Sequence, residues 1–175
     1  LKTAQDSLFP MMQDHQGELE WYCLDFWSRK VGLDIPKLKE DVQDLIKIRP
    51  FVVEFLAEVR TSGRRLIMVT NAHRKSLVLK MRKTGIDTHF DAIVSAHDYG
   101  VPKEKQRFWE ILDRWHTIDR QATLLIDDSL PVLRSGKKYG IAHLLAIKCP
   151  DSKAPPKPGE EFIALDSFRD LLPVS

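Results

Sequence analysis

From residue 48 onward, short runs that are apolar at nearly every position alternate with segments of helical periodicity. No other feature of the chain limits its fold as strongly. The runs are RLIMVT over residues 65–70, FDAIVSA, TLLID, and AHLLAI over residues 142–147. A strand with no polar face must be buried on both sides, which calls for a parallel sheet covered by helices. The intervening segments supply those helices. IRPFVVEFLAEVRTSG has Pro50 at its start, apolar residues Phe51, Val52, Phe55, Leu56 and Val59 at helical spacing, and Gly63 as a stop. KSLVLKMRKTG ends on Gly85. PKEKQRFWEILDRW is expected to begin its helix at Lys103 and to turn Phe108, Trp109, Leu112 and Trp115 inward, and SLPVLRSGKKYG follows TLLID. Residues 150–160, rich in proline and lysine, read as a surface loop, and EFIALDSFRDLLP as a short edge strand and a helix.

Residues 1–47 show no strand pattern and concentrate aromatics in LEWYCLDFWSRKVGLDI, which points to a small helical subdomain beside an α/β core over residues 48–175. Composition excludes several function classes. A net charge of +2 argues against a nucleic-acid groove or a polybasic membrane anchor. No apolar run approaches the roughly 20 residues of a membrane span. Cys23 and Cys149 have no metal-type spacing and read as reduced packing residues of a cytoplasmic protein.

Ligands of parallel α/β sheets bind at the carboxyl ends of the strands, and the polar residues of this chain collect there. Asp127 and Asp128 end TLLID. Helix capping accounts for one acid at that position; two suit Mg²⁺, which takes one or two carboxylates and then substrate phosphate. Thr70 and Asn71 end LIMVT; they serve either as a turn into the next helix or as a phosphate cradle at its N-terminus. Lys103 follows Gly100 and Pro102 and is either a solvated charge, as Lys105 beside it is expected to be, or a cation aimed into the crevice.

Strand-Thr-Asn, then Gly-x-Pro-Lys, then strand-Asp-Asp, in that order, resembles the second, third and fourth motifs of the haloacid-dehalogenase (HAD) superfamily. The helical region before the Thr-Asn strand sits where that superfamily inserts a cap. WYCLDFW, VTNAH and SAHDYGVPKE–FW–LLIDDS further resemble its bacterial GMP/IMP-type 5′-nucleotidases. Response-regulator receivers also use acids, Thr and Lys, but there the acids come first. The dehalogenases proper need no metal and have little use for an acidic pair.

The resemblance implies a HAD-like Rossmannoid sheet and a phosphomonoester hydrolase acting through an aspartyl-phosphate. Thr70, with Asn71 and His73 beside it, would bind the phosphoryl group or line the pocket. Lys103 would neutralise charge, and Asp127 with Asp128 would hold Mg²⁺. The implied partner is a small phosphate ester, a purine nucleotide first and a sugar phosphate or phosphoglycolate second. The superfamily's nucleophile lies in D-x-D-G-[TV], and none of the 175 residues forms that motif. Its strand is expected between LIMVT and TLLID, from a segment preceding Leu1, and the 175 residues alone are expected not to turn over phosphate esters. The contrary reading is a non-catalytic phosphate-binding or interaction module. His97 and Tyr99 are read as loop packing. Trp21, Tyr22, Phe26 and Trp27 are read as subdomain core, with purine stacking as the alternative, and Asp25 as a possible acceptor for a base edge.

Overall fold

The computed structural model describes residues 2–150, 155–156 and 158–174. Residues 151–154 and 157 of the expected surface loop lie outside them. The first part of the chain is helical: α1 (Lys2–Gln13), α2 (Leu19–Tyr22), α3 (Leu24–Val31), α4 (Ile35–Asp41) and a single 3-10 turn, Gln43–Leu45. Asp34 starts α4 by accepting from Lys37 N–H at 3.0 Å, and Gly32 ends α3 in a left-handed conformation. Leu24 and Trp27 are buried, and Trp27 meets Phe26 and His15 edge to face. Tyr22, Trp21 and Phe26 are half-buried.

The remainder runs α5 (Val52–Thr61), β1 (Ile67–Thr70), α6 (Arg74–Thr84), β2 (Ala92–Ser95), α7 (Ala96–Tyr99), α8 (Gln106–His116), β3 (Leu124–Asp127), α9 (Leu130–Tyr139), β4 (His143–Ile147) and β5 (Ile163–Leu165), then a 3-10 turn at Phe168–Leu171. Every ladder is parallel, as the apolar runs require. Ile67 to Thr70 face Ala92 to Ser95, Leu124 to Asp127 face His143 to Ala146, and Leu145 to Ile147 face Ile163 to Leu165.

The strands form two sheets, β1-β2 and β3-β4-β5, and among the described residues no ladder joins β1 to β3. The two sheets nevertheless make one layer. Phe55, Leu56 and Val59 of α5 pack against both Leu66, beside β1, and Ile126 of β3. The neighbouring strand residues Val69 and Leu125, on the opposite face, share the main core with Phe108, Trp109 and Leu112 of α8 and Val132 and Leu133 of α9. Gly136 lets α9 lie close on β3: a Cβ there would come within 2.7 Å of Leu125 Cδ2. Among the described residues no helix is long and apolar enough to cross a membrane.

Two expectations are corrected. The helix carrying Phe108 begins at Gln106, not Lys103, because residues 102–105 close a turn (Lys105 N–H to Pro102 O, 3.1 Å) and the Lys103 N–H is taken by Asn71. Trp115 is 72% exposed rather than inward. It lies one heptad after Phe108, only about 20° further round the helix. The turn itself is held, with Asp113 accepting from the Tyr139 hydroxyl and His116 O from Arg65, and only the Trp115 side chain is left uncovered. Phe108 and Trp109 are fully buried, and Trp109 Nε1–H donates to Ser135 Oγ at 2.9 Å. Trp109→Ala should cost about 3–5 kcal/mol in urea unfolding, whereas Trp115→Ala should stay within about 0.5 kcal/mol. Equal losses would contradict this packing.

Candidate active site

Four segments converge at the carboxyl ends of β1 and β3. The first is the end of β1. Thr70 is its last residue, and its Oγ1 accepts from Ala72 N–H at 3.1 Å, which bends the chain toward α6 and leaves the hydroxyl proton to donate elsewhere. Across the ladder, Ser95 is fully buried and donates to Ala72 O at 2.8 Å, pinning the same turn. His73 caps α6, its Nδ1 accepting from Lys75 N–H at 3.4 Å.

Asn71 is buried, and its side chain is used entirely within the protein. Its Oδ1 accepts from the Lys103 backbone N–H at 2.9 Å, and its Nδ2–H donates to Glu104 Oε2 at 2.9 Å. It thus fixes the turn that carries Lys103. Lys103 is buried too, although long charged side chains rarely are without a partner. Its ammonium donates to Asp127 Oδ2 at 2.5 Å and to Val69 O at 3.4 Å. One nitrogen therefore touches both β3 and β1 across the unladdered gap. Asp127 ends β3, and its Oδ1 accepts from Ser129 N–H at 3.0 Å, turning the chain into α9. The adjacent Asp128 is exposed. The doublet is thus one buried, fully hydrogen-bonded carboxylate and one facing solvent, which relieves the repulsion between them.

The residues singled out from sequence are brought together except for Asp128 and His73, which stand at the rim. Two further members join them: Glu104, which sequence reasoning missed, and Tyr22, which it read as subdomain core or a stacking face rather than as a hydrogen-bonding partner. Glu104 accepts from Asn71 Nδ2–H and, through Oε1, from the Tyr22 hydroxyl at 2.6 Å. Tyr22 comes from the helical N-terminal region, so this chain of bonds ties α2 to the turn of Lys103. A charged residue directly after the Gly-x-Pro-Lys motif was the available signal for Glu104; nothing in the periodicity of residues 19–27 singles out Tyr22 among its aromatic neighbours. Asp25 pairs with Lys75 at 2.6 Å, which lowers its pKa, and lies 3.7 Å from His73 Nε2. His97 is not simple loop packing: its ring meets His73 edge to face at 4.9 Å, and burial, with His73 second, lowers its pKa. Tyr99 packs against the main core beside Phe108.

The sequence profile of haloacid dehalogenase-like hydrolases matches residues 15–146. The GMP/IMP nucleotidase YrfG of Escherichia coli (strain K12) is 36% identical over 174 residues, covering 98% of this chain and 78% of that protein. The protein of the same name from Shigella flexneri matches equally. Among solved structures, the HAD phosphatase from Thermococcus onnurineus superposes with a TM-score of 0.79 at 17% identity, over 97% of this chain and 78% of its own. The L-2-haloacid dehalogenase from Xanthobacter autotrophicus with chloropropionic acid covalently bound gives 0.63 at 15% identity, over 86% and 75%. Both structures share the fold.

Two outcomes test this geometry. Lys103→Met leaves Asp127 buried without its cation and should destabilise the fold by about 3–5 kcal/mol. Adding Asp127→Asn should recover part of that loss in a double-mutant cycle; strict additivity would mean the two groups do not interact. Burial, and then the Glu104 hydrogen bond, raise the Tyr22 pKa above its ordinary 10.0. A raised folded-state pKa keeps its stabilisation below the unfolded value and loses it as pH rises beyond. Stability should therefore decline above about pH 10, and Tyr22→Phe should make that decline shallower in unfolding titrations.

Proposed function

The chain belongs to the haloacid dehalogenase-like hydrolases, and from that membership we propose a Mg²⁺-dependent phosphatase acting on a purine nucleoside 5′-monophosphate. The observation that carries the phosphatase reading is the buried Lys103 ammonium, held on Asp127 between the ends of β1 and β3. The nucleotide reading is supported by the 36% identity to a protein named GMP/IMP nucleotidase.

In this reading the phosphoryl oxygens sit against the Thr70 hydroxyl and the backbone N–H groups that open α6, where the helix end favours anions. Lys103 contributes positive charge from a buried ammonium fixed on Asp127, where charge on a phosphoryl group in transfer is stabilised. Asn71 and Glu104 do not bind the ester; they hold the Lys103 turn in place. His73 and Asp25, at the rim, face the part of the substrate beyond the phosphate, and Tyr22 anchors the helical region that covers it as a cap. The oxygen donors of Asp127 and Asp128 fit Mg²⁺, which asks for one or two carboxylates and keeps its waters. When bound, the ion supplies further positive charge to the phosphate. The exposed Asp128 is the readier ligand, since both oxygens of Asp127 already accept hydrogen bonds.

The attacking carboxylate follows from family membership. We assign it to a strand that lies between β1 and β3, satisfies their facing edges, and is needed for turnover by these 175 residues. The free, half-buried thiols of Cys23 and Cys149 accord with a reducing compartment, so the cytoplasm is the proposed location.

The test is phosphate release by the natural protein with Mg²⁺ from GMP, IMP, ribose 5-phosphate and phosphoglycolate. GMP and IMP should lead in kcat/KM, and Lys103→Ala should lower their kcat about 10²–10³-fold. Equal rates on all four esters would overturn the nucleotide reading. Full activity in Lys103→Ala would overturn the phosphatase site.

A further inference from the structure

Beside the carboxylate site, and separate from it, three side chains with softer donors come together. Cys23 lies in the turn between α2 and α3, His73 at the start of α6, and His97 in α7. One ligand atom from each lies within 4.8 Å of the others, and all three residues are half-buried. Within this cluster His97 Nε2 is buried and makes no hydrogen bond of good geometry, although the Asn71 and Tyr22 backbones lie near enough to influence the ring. The other two are weakly engaged. Cys23 Sγ accepts only a long bond from Phe26 N–H, 3.4 Å. His73 meets Lys75 N–H through Nδ1 at 3.4 Å and Asp25 through Nε2 at 3.7 Å, so the Nδ1 lone pair can leave Lys75 for a ligand while Nε2–H stays on Asp25.

We propose that Cys23, His73 and His97 bind a borderline divalent transition metal, Zn²⁺ above all, at a site distinct from the Mg²⁺ carboxylates. The donor set decides the class of ion. A thiolate with two imidazoles suits Zn²⁺ and is a poor cage for Mg²⁺, which prefers oxygen. Zn–N near 2.0–2.1 Å and Zn–S near 2.3 Å put bound ligand atoms roughly 3.5 Å apart. The cluster therefore needs to contract by about 1.3 Å at most. Binding takes the Cys23 thiol proton to solvent and gives His97 Nε2 the well-placed partner it otherwise lacks. Three protein ligands leave a fourth position for water or a substrate atom. Because Cys23 belongs to the helical region while His73 and His97 belong to the α/β part, the metal fastens the two together.

The probe is Co²⁺ added to the metal-free natural protein, with the near-ultraviolet sulfur-to-cobalt charge-transfer band as the readout. One equivalent per chain should saturate the band. Cys23→Ser should abolish it, His97→Gln should weaken binding by at least about tenfold, and Asp128→Asn should leave it intact. Saturating Zn²⁺ should raise the Tm by about 3 °C or more, and Cys23→Ser should remove that rise while remaining folded by circular dichroism. The proposal is overturned if no charge-transfer band forms, if the band survives Cys23→Ser, or if Asp128→Asn rather than Cys23→Ser abolishes Zn²⁺ stabilisation.

Discussion

Lys103 and Asp127 form a buried ion pair on which the arrangement of the site depends. Removing two charges from water is costly, and attraction between them offsets that cost only when the geometry is good and the remaining donors and acceptors are satisfied. Here they are: the ammonium also donates to Val69 O, the second carboxylate oxygen accepts from Ser129 N–H, and the Lys103 backbone is held by Asn71. A well-packed apolar pair would serve stability as well or better. What the ion pair adds is a cation and a carboxylate kept at the strand ends, which is what the proposed phosphatase reading requires.

The pair also stands at the one discontinuity in the sheet. β1 and β3 share helices on both faces, yet no backbone ladder joins them among the described residues. Side chains bridge the gap instead, chiefly Lys103. From there the network runs through Asn71 and Glu104 to Tyr22, so the helical N-terminal region is coupled to the position of the lysine by three side-chain hydrogen bonds. A displacement of α2 would be felt at the Lys103 turn, which gives the proposed cap a direct mechanical connection to the chemistry.

Much of this was legible in the residue order. Continuous apolar runs separated by helical periods specify parallel strands covered on both faces, and the ladders are parallel throughout. Thr70, Lys103 and Asp127 were singled out by their places at strand ends or beside Gly and Pro together with the motif order that carries the resemblance, and the structure brings Lys103 onto Asp127 and the end of β1. What was not legible depends on distance through space. Glu104 and Tyr22 are 82 residues apart and look like an ordinary surface acid and one aromatic among several. Trp115 obeys the helical period, yet no element of the fold covers its side chain among the described residues. The Lys103 turn was misread as helix because the competing hydrogen bond comes from Asn71, 32 residues earlier.

The central claim, that the buried end of β3 is half of a phosphate-and-metal centre rather than a structural strand end, is tested most directly by Asp127→Asn. The substitution keeps the shape and removes the charge. The measurement is the Mg²⁺ dependence of GMP hydrolysis by the natural protein and by this variant. Loss of at least about 10²-fold in kcat at saturating Mg²⁺, in a protein that still folds, is the predicted result. Hydrolysis at the unsubstituted rate with an unchanged Mg²⁺ requirement would contradict it.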